Sequence, residues 1–414
     1  MAQLAIGRQR FPRSWRQFSA LALAALLASC ATGRGPVKPT PGPAAGPAPA
    51  KPAVSEAEKQ RVAVLVPTTG GNAALGQSIA NAANLALLDS GSQRIRLTIY
   101  NTGPGAGAAA RKALAEGNKL IIGPLLAGEV REVKAVAGAA NVPVLAFSND
   151  SALAGGGTYI LGFQPRQSID RVVQYARGQG IERFAALVPT GDYGQRASSA
   201  YLDAVKDAGG RVTAIAPYAR DSKSLSAAIR KLTGGGDPSK VQVRPDGTVA
   251  RVEAKRRLNF DALLIADSGK IAIAALPALS KSGVTGVRLL GTELWNTEPG
   301  LAKVAGMHGA WFASVPDGTF RQFSTHYRGR FGAAPYRLAS LGYDAVLLTN
   351  RIASRWPAGK PFPEATLRDR DGFSGIDGIF RFGESGVALR ALEVQQIDAG
   401  GFKVLSPAAP TFGN

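Results

Sequence analysis

The chain has 414 residues, 45% of them apolar, and a formal net charge of +20 with one cysteine and two histidines. Length and apolar content specify a folded body with a sizeable core, either one large two-lobed domain or two small ones. A lone cysteine excludes a disulfide framework and a thiolate metal site, and His308 and His326 stand in no metal-ligand spacing, so neither a metal nor a cofactor is expected.

The N-terminus carries Arg8, Arg10, Arg13 and Arg16 without an acid, followed by an apolar run over 18–27. That run is far shorter than the ~20 residues of a spanning helix and reads as a removable signal over 1–29. Leu27-Ala28-Ser29-Cys30 has the pattern of a bacterial lipoprotein signal, so Cys30 is expected to be lipidated, with more than one acyl chain for stable anchoring. The plainer alternative is an ordinary signal peptide with an incidental cysteine. Ala31, where an inner-membrane retention signal would show Asp, points to the periplasmic face of the outer membrane, with the inner membrane as the alternative. Without the four signal arginines the net charge is still +16. Such a field favours lipid headgroups, acidic wall polymers or an acidic protein face, while export removes nucleic acid as a partner.

Residues 30–59 form the expected lipidated Cys and Pro/Ala-rich linker. Pro36, Pro39, Pro41, Pro43, Pro47, Pro49 and Pro52 deny this stretch helix or sheet, leaving a semi-extended spacer of ~3.1 Å per residue. From Arg61 the texture changes to short apolar runs separated by helical stretches, the mark of parallel βαβ units. Strands are predicted at 62–66, 95–100, 120–122 and 142–147, with Ile79, Ala82, Ala83, Ala86 and Leu87 as the buried stripe of an intervening helix. The texture restarts with strands at 184–188, 212–215, 262–265 and 287–290, and with a helix whose stripe is Ala197, Ala200, Tyr201, Ala204, Val205 and Ala208.

The fold class is therefore α/β, two doubly wound parallel-sheet lobes. Lobe 1 is expected over about 60–163 plus C-terminal return segments, and lobe 2 over about 168–335. Leu341, Ala345, Leu348 and Ile352 form one more helical stripe, and short strands near 379–382, 391–397 and 402–405 are too few for a third core. They are expected to return to the two lobes, so that the chain crosses between them several times. A basic insertion over 233–257 carries Lys240, Arg244, Arg251, Lys255, Arg256 and Arg257, and Pro245-Asp246-Gly247 within it reads as the turn of a hairpin. It is either a solvated loop or a contact surface for an acidic partner or glycan-peptide polymer.

Nucleophile elbows, Ser-x-x-Lys, His-Glu-x-x-His and Walker loops are all missing, so no catalytic residue is assigned. Gly103-Pro104-Gly105-Ala106-Gly107 departs from the dinucleotide fingerprint and reads as an ordinary glycine-rich loop. In open parallel sheets, ligands bind beyond the carboxyl ends of the strands. The loops there offer Thr68, Thr69, Ser148 and Asn149 for a carboxylate or hydroxyls, Asp192, Asp267 and Glu293 for an ammonium, and Tyr193 and Trp295 for an apolar part. Each has a local alternative as turn former or cap.

Arg61-Val62-Ala63-Val64-Leu65-Val66-Pro67, Ile121-Ile122-Gly123-Pro124, Val142-Pro143-Val144-Leu145-Ala146-Phe147-Ser148 and Gly342-Tyr343-Asp344-Ala345-Val346 resemble the type I periplasmic-binding-protein fold of the branched-chain amino acid receptors. That resemblance covers the chain from about Arg61 onward and implies two lobes joined by three hinge crossovers. Phe163-Gln164-Pro165-Arg166-Gln167, Pro189-Thr190-Gly191-Asp192-Tyr193-Gly194-Gln195-Arg196 and Gly375-Ile376-Asp377-Gly378-Ile379-Phe380-Arg381-Phe382 are similar to the LpoA-like penicillin-binding protein activators. Those are outer-membrane lipoproteins that stimulate a peptidoglycan synthase. The enterobacterial members carry a helical-repeat domain ahead of the receptor-like one, whereas here the linker runs straight into it.

The first reading is thus a non-catalytic, lipid-anchored regulator that binds and activates a class A penicillin-binding protein, with possible contact to peptidoglycan. The alternative is a solute-binding lipoprotein for an amino acid or similar small ligand of an ABC transporter. Ser148-Asn149-Asp150-Ser151-Ala152 only partly resembles the Ser/Thr-containing loop that grips the amino-acid headgroup in such receptors.

Overall fold

The computed structural model describes residues 58–234, 242–243, 249–250 and 258–413. Cys30, the linker and the basic residues Lys240, Arg244, Arg251, Lys255, Arg256 and Arg257 lie outside them. Among the described residues no helix is long and apolar enough to cross a membrane.

The first strand, β1 (Gln60–Val66), is apolar on both faces because both are covered. Val62, Val64 and Val66 enter one core, and Ala63 and Leu65 enter the other. It is followed by α1 (Ala73–Asp89), β2 (Ile95–Asn101), α2 (Ala106–Ala115), β3 (Leu120–Ile122), α3 (Ala127–Ala139), β4 (Val144–Ala146) and β5 (Thr158–Ile160). The five strands pair in parallel in the order β2-β1-β3-β4-β5. Strands buried on both sides must be short apolar runs without alternation, which is why they are legible in sequence.

The second lobe repeats the plan with α4 (Pro165–Gly178), β6 (Arg183–Pro189), α5 (Asp192–Asp207), β7 (Arg211–Tyr218) and α6 (Ser222–Leu232). Pro165 opens α4 where an amide donor is not needed, and the Asp221 carboxylate caps α6 by accepting from Ser224 N at 2.8 Å. The expected hairpin is present as β8 (Gln242–Val243) antiparallel to β9 (Val249–Ala250). Next come β10 (Ala262–Ile265), α7 (Gly269–Lys281), β11 (Arg288–Gly291) and β12 (Trp311–Ser314). Ala185 and Leu187 of β6 face the core shared with α6 and α7, and Phe184, Ala186 and Val188 face the one shared with α4 and α5.

The C-terminal part comprises α8 (Gly318–Phe331), α9 (Ala339–Ala353), β13 (Phe373–Gly375), β14 (Gly378–Phe382), β15 (Ala388–Arg390), β16 (Glu393–Asp398) and β17 (Gly401–Ser406). β16 and β17 join the second sheet antiparallel beside β12, giving the order β17-β16-β12-β11-β10-β6-β7. The α9 stripe and the β13–β15 aromatics Phe373, Phe380 and Phe382 enter the first lobe's core. The second lobe was expected to run to about 335, but α8 packs its Phe323 and Tyr327 on Ala82 and Leu85 of α1. The reason is its aromatic stripe, which needs a small-residue helix face. The chain therefore passes between lobes near 162–164, 315–317 and 391–392.

Each lobe's first βα unit is set by a helix glycine pressed against a proline carbonyl. A Cβ on Gly76 would overlap Pro67 O, and one on Gly194 would overlap Pro189 O. Backbone on one side and helix on the other leave nothing to yield. Gly194→Ala and Gly76→Ala are each expected to cost at least about 2 kcal/mol, read as a lower urea midpoint at unchanged m.

Candidate functional site

The loops at the carboxyl ends of the strands meet between the lobes, but their polar groups are largely engaged with one another. Thr68 N donates to Asn101 Oδ1 at 2.9 Å, and Asn101 Nδ2 donates to Thr69 Oγ1 at 2.9 Å. Buried Ser148 accepts from Asp150 N at 3.1 Å, beside half-buried Asn149. Asp150 is 4% exposed and lies 3.5 Å from Arg131 on its own lobe and 3.6 Å from Arg196 of α5 on the other. In that loop, then, the chain's own carboxylate bridges the two lobes.

On the second lobe, Asp192 is exposed in the first turn of α5. The Tyr193 hydroxyl lies 3.2 Å from Thr292 Oγ1 and 3.3 Å from Glu293 Oε1, and the Ser168 hydroxyl also donates to Glu293. Burial raises Glu293 to about 7 against these donors, and burial with the Glu293 charge holds Tyr193 well above its ordinary range. Asp267 is buried and accepts from Tyr218 OH at 2.8 Å and Arg220 Nε at 2.9 Å, which satisfies it within its own lobe. Trp295, proposed to cover a ligand, is instead 0% exposed and packs among Phe312, Leu301 and Ile265. Its Nε1 donates to Asp267 O at 3.1 Å, and its ring lies where a Cβ on Gly291 would stand. An indole this large needs full burial more than a cleft does. The Gly103–Gly107 loop is no phosphate cradle either, since Gly107 N donates to Glu132 at 3.0 Å.

Sequence reading missed the residues that converge at the crossings. Arg337 Nη1 donates to Asp377 Oδ1 at 2.6 Å and to Ser340 Oγ at 3.0 Å, and Ser340 completes the set by donating to Asp377 Oδ2 at 2.7 Å. Asp344 accepts Ile376 N at 2.7 Å and Asp377 N at 3.3 Å, and burial together with the neighbouring Asp377 charge raises it to about 7. Arg390 donates from Nη2 to Leu161 O at 2.9 Å. The Phe163 ring lies 5.0 Å from the Arg390 guanidinium and 5.7 Å from that of Arg337. No motif marks these arginines, because Asp377 lies 40 residues from Arg337 and Leu161 lies 229 from Arg390.

Beside this knot opens a cleft of about 1290 Å³, walled by Lys270 and the 294–299 segment from the second lobe and by α8 and the 334–338 loop from the first. Lys270, Arg321 and Arg328 are exposed there and form no ion pair among the described residues, while Phe320, Tyr336 and Phe402 supply apolar surface. No group of three His, Cys, Asp or Glu side chains gathers to hold a metal among the described residues.

Two lobes, three crossings and a cleft between them define a bilobal binding protein. The chain belongs to the periplasmic binding protein family, whose model matches residues 59–402, and the family is extracytoplasmic. Among solved structures it is similar to the leucine binding protein LivK of Thermotoga maritima (19% identity, 85% of this chain and 99% of that one, TM-score 0.63). It is also similar to a Rhodopseudomonas palustris ABC-transporter solute binding protein in complex with 3,4-dihydroxy benzoic acid (18%, 86% and 97%, TM-score 0.64). A third is the LivJ substrate binding protein of Streptococcus pneumoniae in complex with isoleucine (17%, 84% and 100%, TM-score 0.61). These likenesses show the type I fold. A curated relative, an uncharacterised Rickettsia prowazekii protein, is 24% identical over 184 residues, 44% of this chain and about half (49%) of that protein.

Glu293 and Asp344 make stability pH-dependent with a definite sign. Both hold their protons more tightly folded than unfolded, so their contribution is complete below pH 4 and lost as pH rises toward 7. For Glu293, ionisation in the fold costs on the order of 3 kcal/mol. Glu293→Gln is expected to flatten the decline in urea midpoint between pH 5 and 8; an unchanged slope would show that Glu293 is not the titrating group. Asp377→Ala, which leaves Arg337 only the more distant Asp317 at 3.7 Å, is expected to cost about 3 kcal/mol in the same denaturation.

Proposed function

We propose that the chain is a non-catalytic, extracytoplasmic binding protein that holds an anionic small solute in the cleft between its lobes. The observation that carries this reading is the cleft itself, open to solvent, bounded by both lobes, and lined by Lys270, Arg321, Arg328 and Arg337 against two acids, Glu298 and Asp317, together with Phe320, Tyr336 and Phe402. An aromatic and cationic lining suits a carboxylate on an apolar body. The solutes seen with similar structures, isoleucine and 3,4-dihydroxy benzoic acid, have that chemistry. Lys270 comes from one lobe and the arginines from the other, so a ligand touching both favours the closed arrangement.

A second reading, a lipid-anchored regulator of a class A penicillin-binding protein at the outer membrane, is favoured by a separate observation. The headgroup loop of the receptors is here tied internally through Asp150, and two of the segments similar to the activators reach across the lobes. Gln167 Nε2 donates to Ala388 O at 2.8 Å and Arg196 meets Asp150 across the lobes, while Asp377 meets Arg337 within the first lobe. A body braced in this way suits docking to a protein. Cys30 lipidation belongs to both readings. Thr68, Thr69, Ser148, Asn149, Asp192 and Tyr193 remain candidate ligand contacts on the cleft loops, and the basic insertion remains the candidate partner contact.

Calorimetric titration with leucine, isoleucine, benzoate and 3,4-dihydroxybenzoate tests the first reading. Saturable binding that falls about tenfold, ~1.4 kcal/mol, in Arg321→Glu/Arg328→Glu is expected, and affinity indifferent to that double reversal removes the cleft from the account. Saturable binding to a class A synthase with faster glycan polymerisation and no added solute would select the second reading.

A further inference from the structure

Where the chain enters the first lobe at Glu58, a shallow depression of about 760 Å³ lies open to solvent. Leu75 of α1 lines the cleft, whereas Ser90, past the far end of that helix, lines the depression, so the two are about 20 Å apart. Both α1 and α9 end here, at Ser90 and Ser354. The rim carries Arg94 and Arg355, which are exposed and form no ion pair among the described residues. Exposed Arg61, Arg96 and Lys119 continue the positive surface along the starts of the strands. Arg61 pairs with Arg96 in the register of β1 and β2, Lys119 N donates to Arg61 O at 3.0 Å, and Gln60 N donates to Arg94 O at 2.8 Å.

The acids nearby do not cancel this charge. Asp89 accepts from Tyr343 OH at 2.9 Å and Glu116 accepts from Tyr100 OH at 2.5 Å, which holds both carboxylates against the lobe, and Glu58 is the acid on the rim. In the last turn of α1, beside the depression, Leu88 is 60% exposed, more than any other large apolar side chain among the described residues. A cationic surface with one projecting leucine fits the interface of an anionic bilayer, where phosphates meet the arginines and the leucine enters the acyl boundary. The point of attachment favours a bilayer over other polyanions. Glu58 follows Cys30 by fewer than about thirty residues, a reach of at most ~100 Å. A lipid on Cys30 therefore tethers the chain by this end of the lobe and keeps it at high local concentration beside the headgroups.

We propose that the end of the first lobe around Glu58 is a docking surface for an anionic phospholipid bilayer, contacted by Arg61, Arg94, Arg96, Lys119 and Arg355 with Leu88 inserted. The geometry rests on lipidation of Cys30, which both functional readings share, and not on what the cleft holds. Docked in this way, the cleft at the other end of α1 opens away from the bilayer.

The test is co-sedimentation of the secreted chain, carrying Cys30→Ser so that no acyl chain contributes, with vesicles of phosphatidylglycerol and phosphatidylcholine. Binding that requires phosphatidylglycerol and weakens with salt is expected. Arg94→Glu/Arg355→Glu should weaken it at least about tenfold, and Leu88→Ser about threefold. Arg230→Glu/Lys231→Glu, an equal reversal at exposed positions of the second lobe, should leave it within about twofold. Where a variant does not fold, hydrogen exchange on the Cys30→Ser chain decides, with protection by vesicles expected at 88–96 and 354–358. No binding to phosphatidylglycerol vesicles, equal losses in the two charge reversals, or protection confined to other segments overturns the proposal. Binding to purified acidic wall polymer with none to vesicles overturns it as well. Loss of solute binding with vesicle binding intact strikes the cleft reading alone, so the two fail separately.

Discussion

The C-terminal return segments of the first lobe rest on a buried polar knot beside the chain crossings. Arg337, Ser340 and Asp377 form a closed triangle of hydrogen bonds, Asp344 fixes the backbone of Ile376 and Asp377, and Arg390 ties the third crossing to Leu161 at the first. Charges buried this deeply contribute little net stability compared with apolar residues of the same volume. What they supply is directionality, because a hydrogen bond to a fixed carbonyl is satisfied in one geometry and an apolar contact in many. The sheets fold around their own cores, and the knot holds the returning segments of the first lobe in one geometry next to the crossings.

Within each lobe the constraint is different and simpler. A parallel strand covered by helices on both faces must be apolar throughout, and the helices must come close enough to cover it. The glycines at 76 and 194 meet that requirement at equivalent places, letting α1 and α5 rest directly on the carbonyls of Pro67, just after β1, and Pro189, the last residue of β6. The repetition of one packing device in two lobes explains why the second half of the chain reads like the first.

The site obeys neither periodicity nor local motif. Asp267 and Trp295 sit at strand ends, where ligand residues commonly lie, yet both are consumed by the second lobe, the carboxylate by Tyr218 and Arg220 and the indole by the core. Tyr193 and Glu293 do meet, but across one lobe and with Ser168 as the third partner. The cationic wall of the cleft comes from α8, a helix whose sequence shows an amphipathic surface element and nothing more. Its importance arises because Phe323 and Tyr327 dock it on α1, which turns Arg321 and Arg328 toward the opposite lobe.

The sequence by itself determined the short aliphatic strands, the helical stripes, the hairpin and the two-lobed α/β class, since each follows from hydrogen-bonded periodicity and from burial of nearby side chains. It left β5, β12, β13 and β15 unread, because runs such as Thr158–Ile160 and Trp311–Ser314 mix aromatic and hydroxyl side chains and lack the wholly aliphatic character that marks Leu120–Ile122. It also could not reveal that α8 belongs with the first lobe, that Asp150 faces Arg196, or that Arg337 and Arg390 share a cavity with Glu293. Those are contacts between segments remote in sequence, made by charged and aromatic side chains whose types are common everywhere on the chain. Only the closure of three crossings into one place distinguishes these residues from the other arginines and acids.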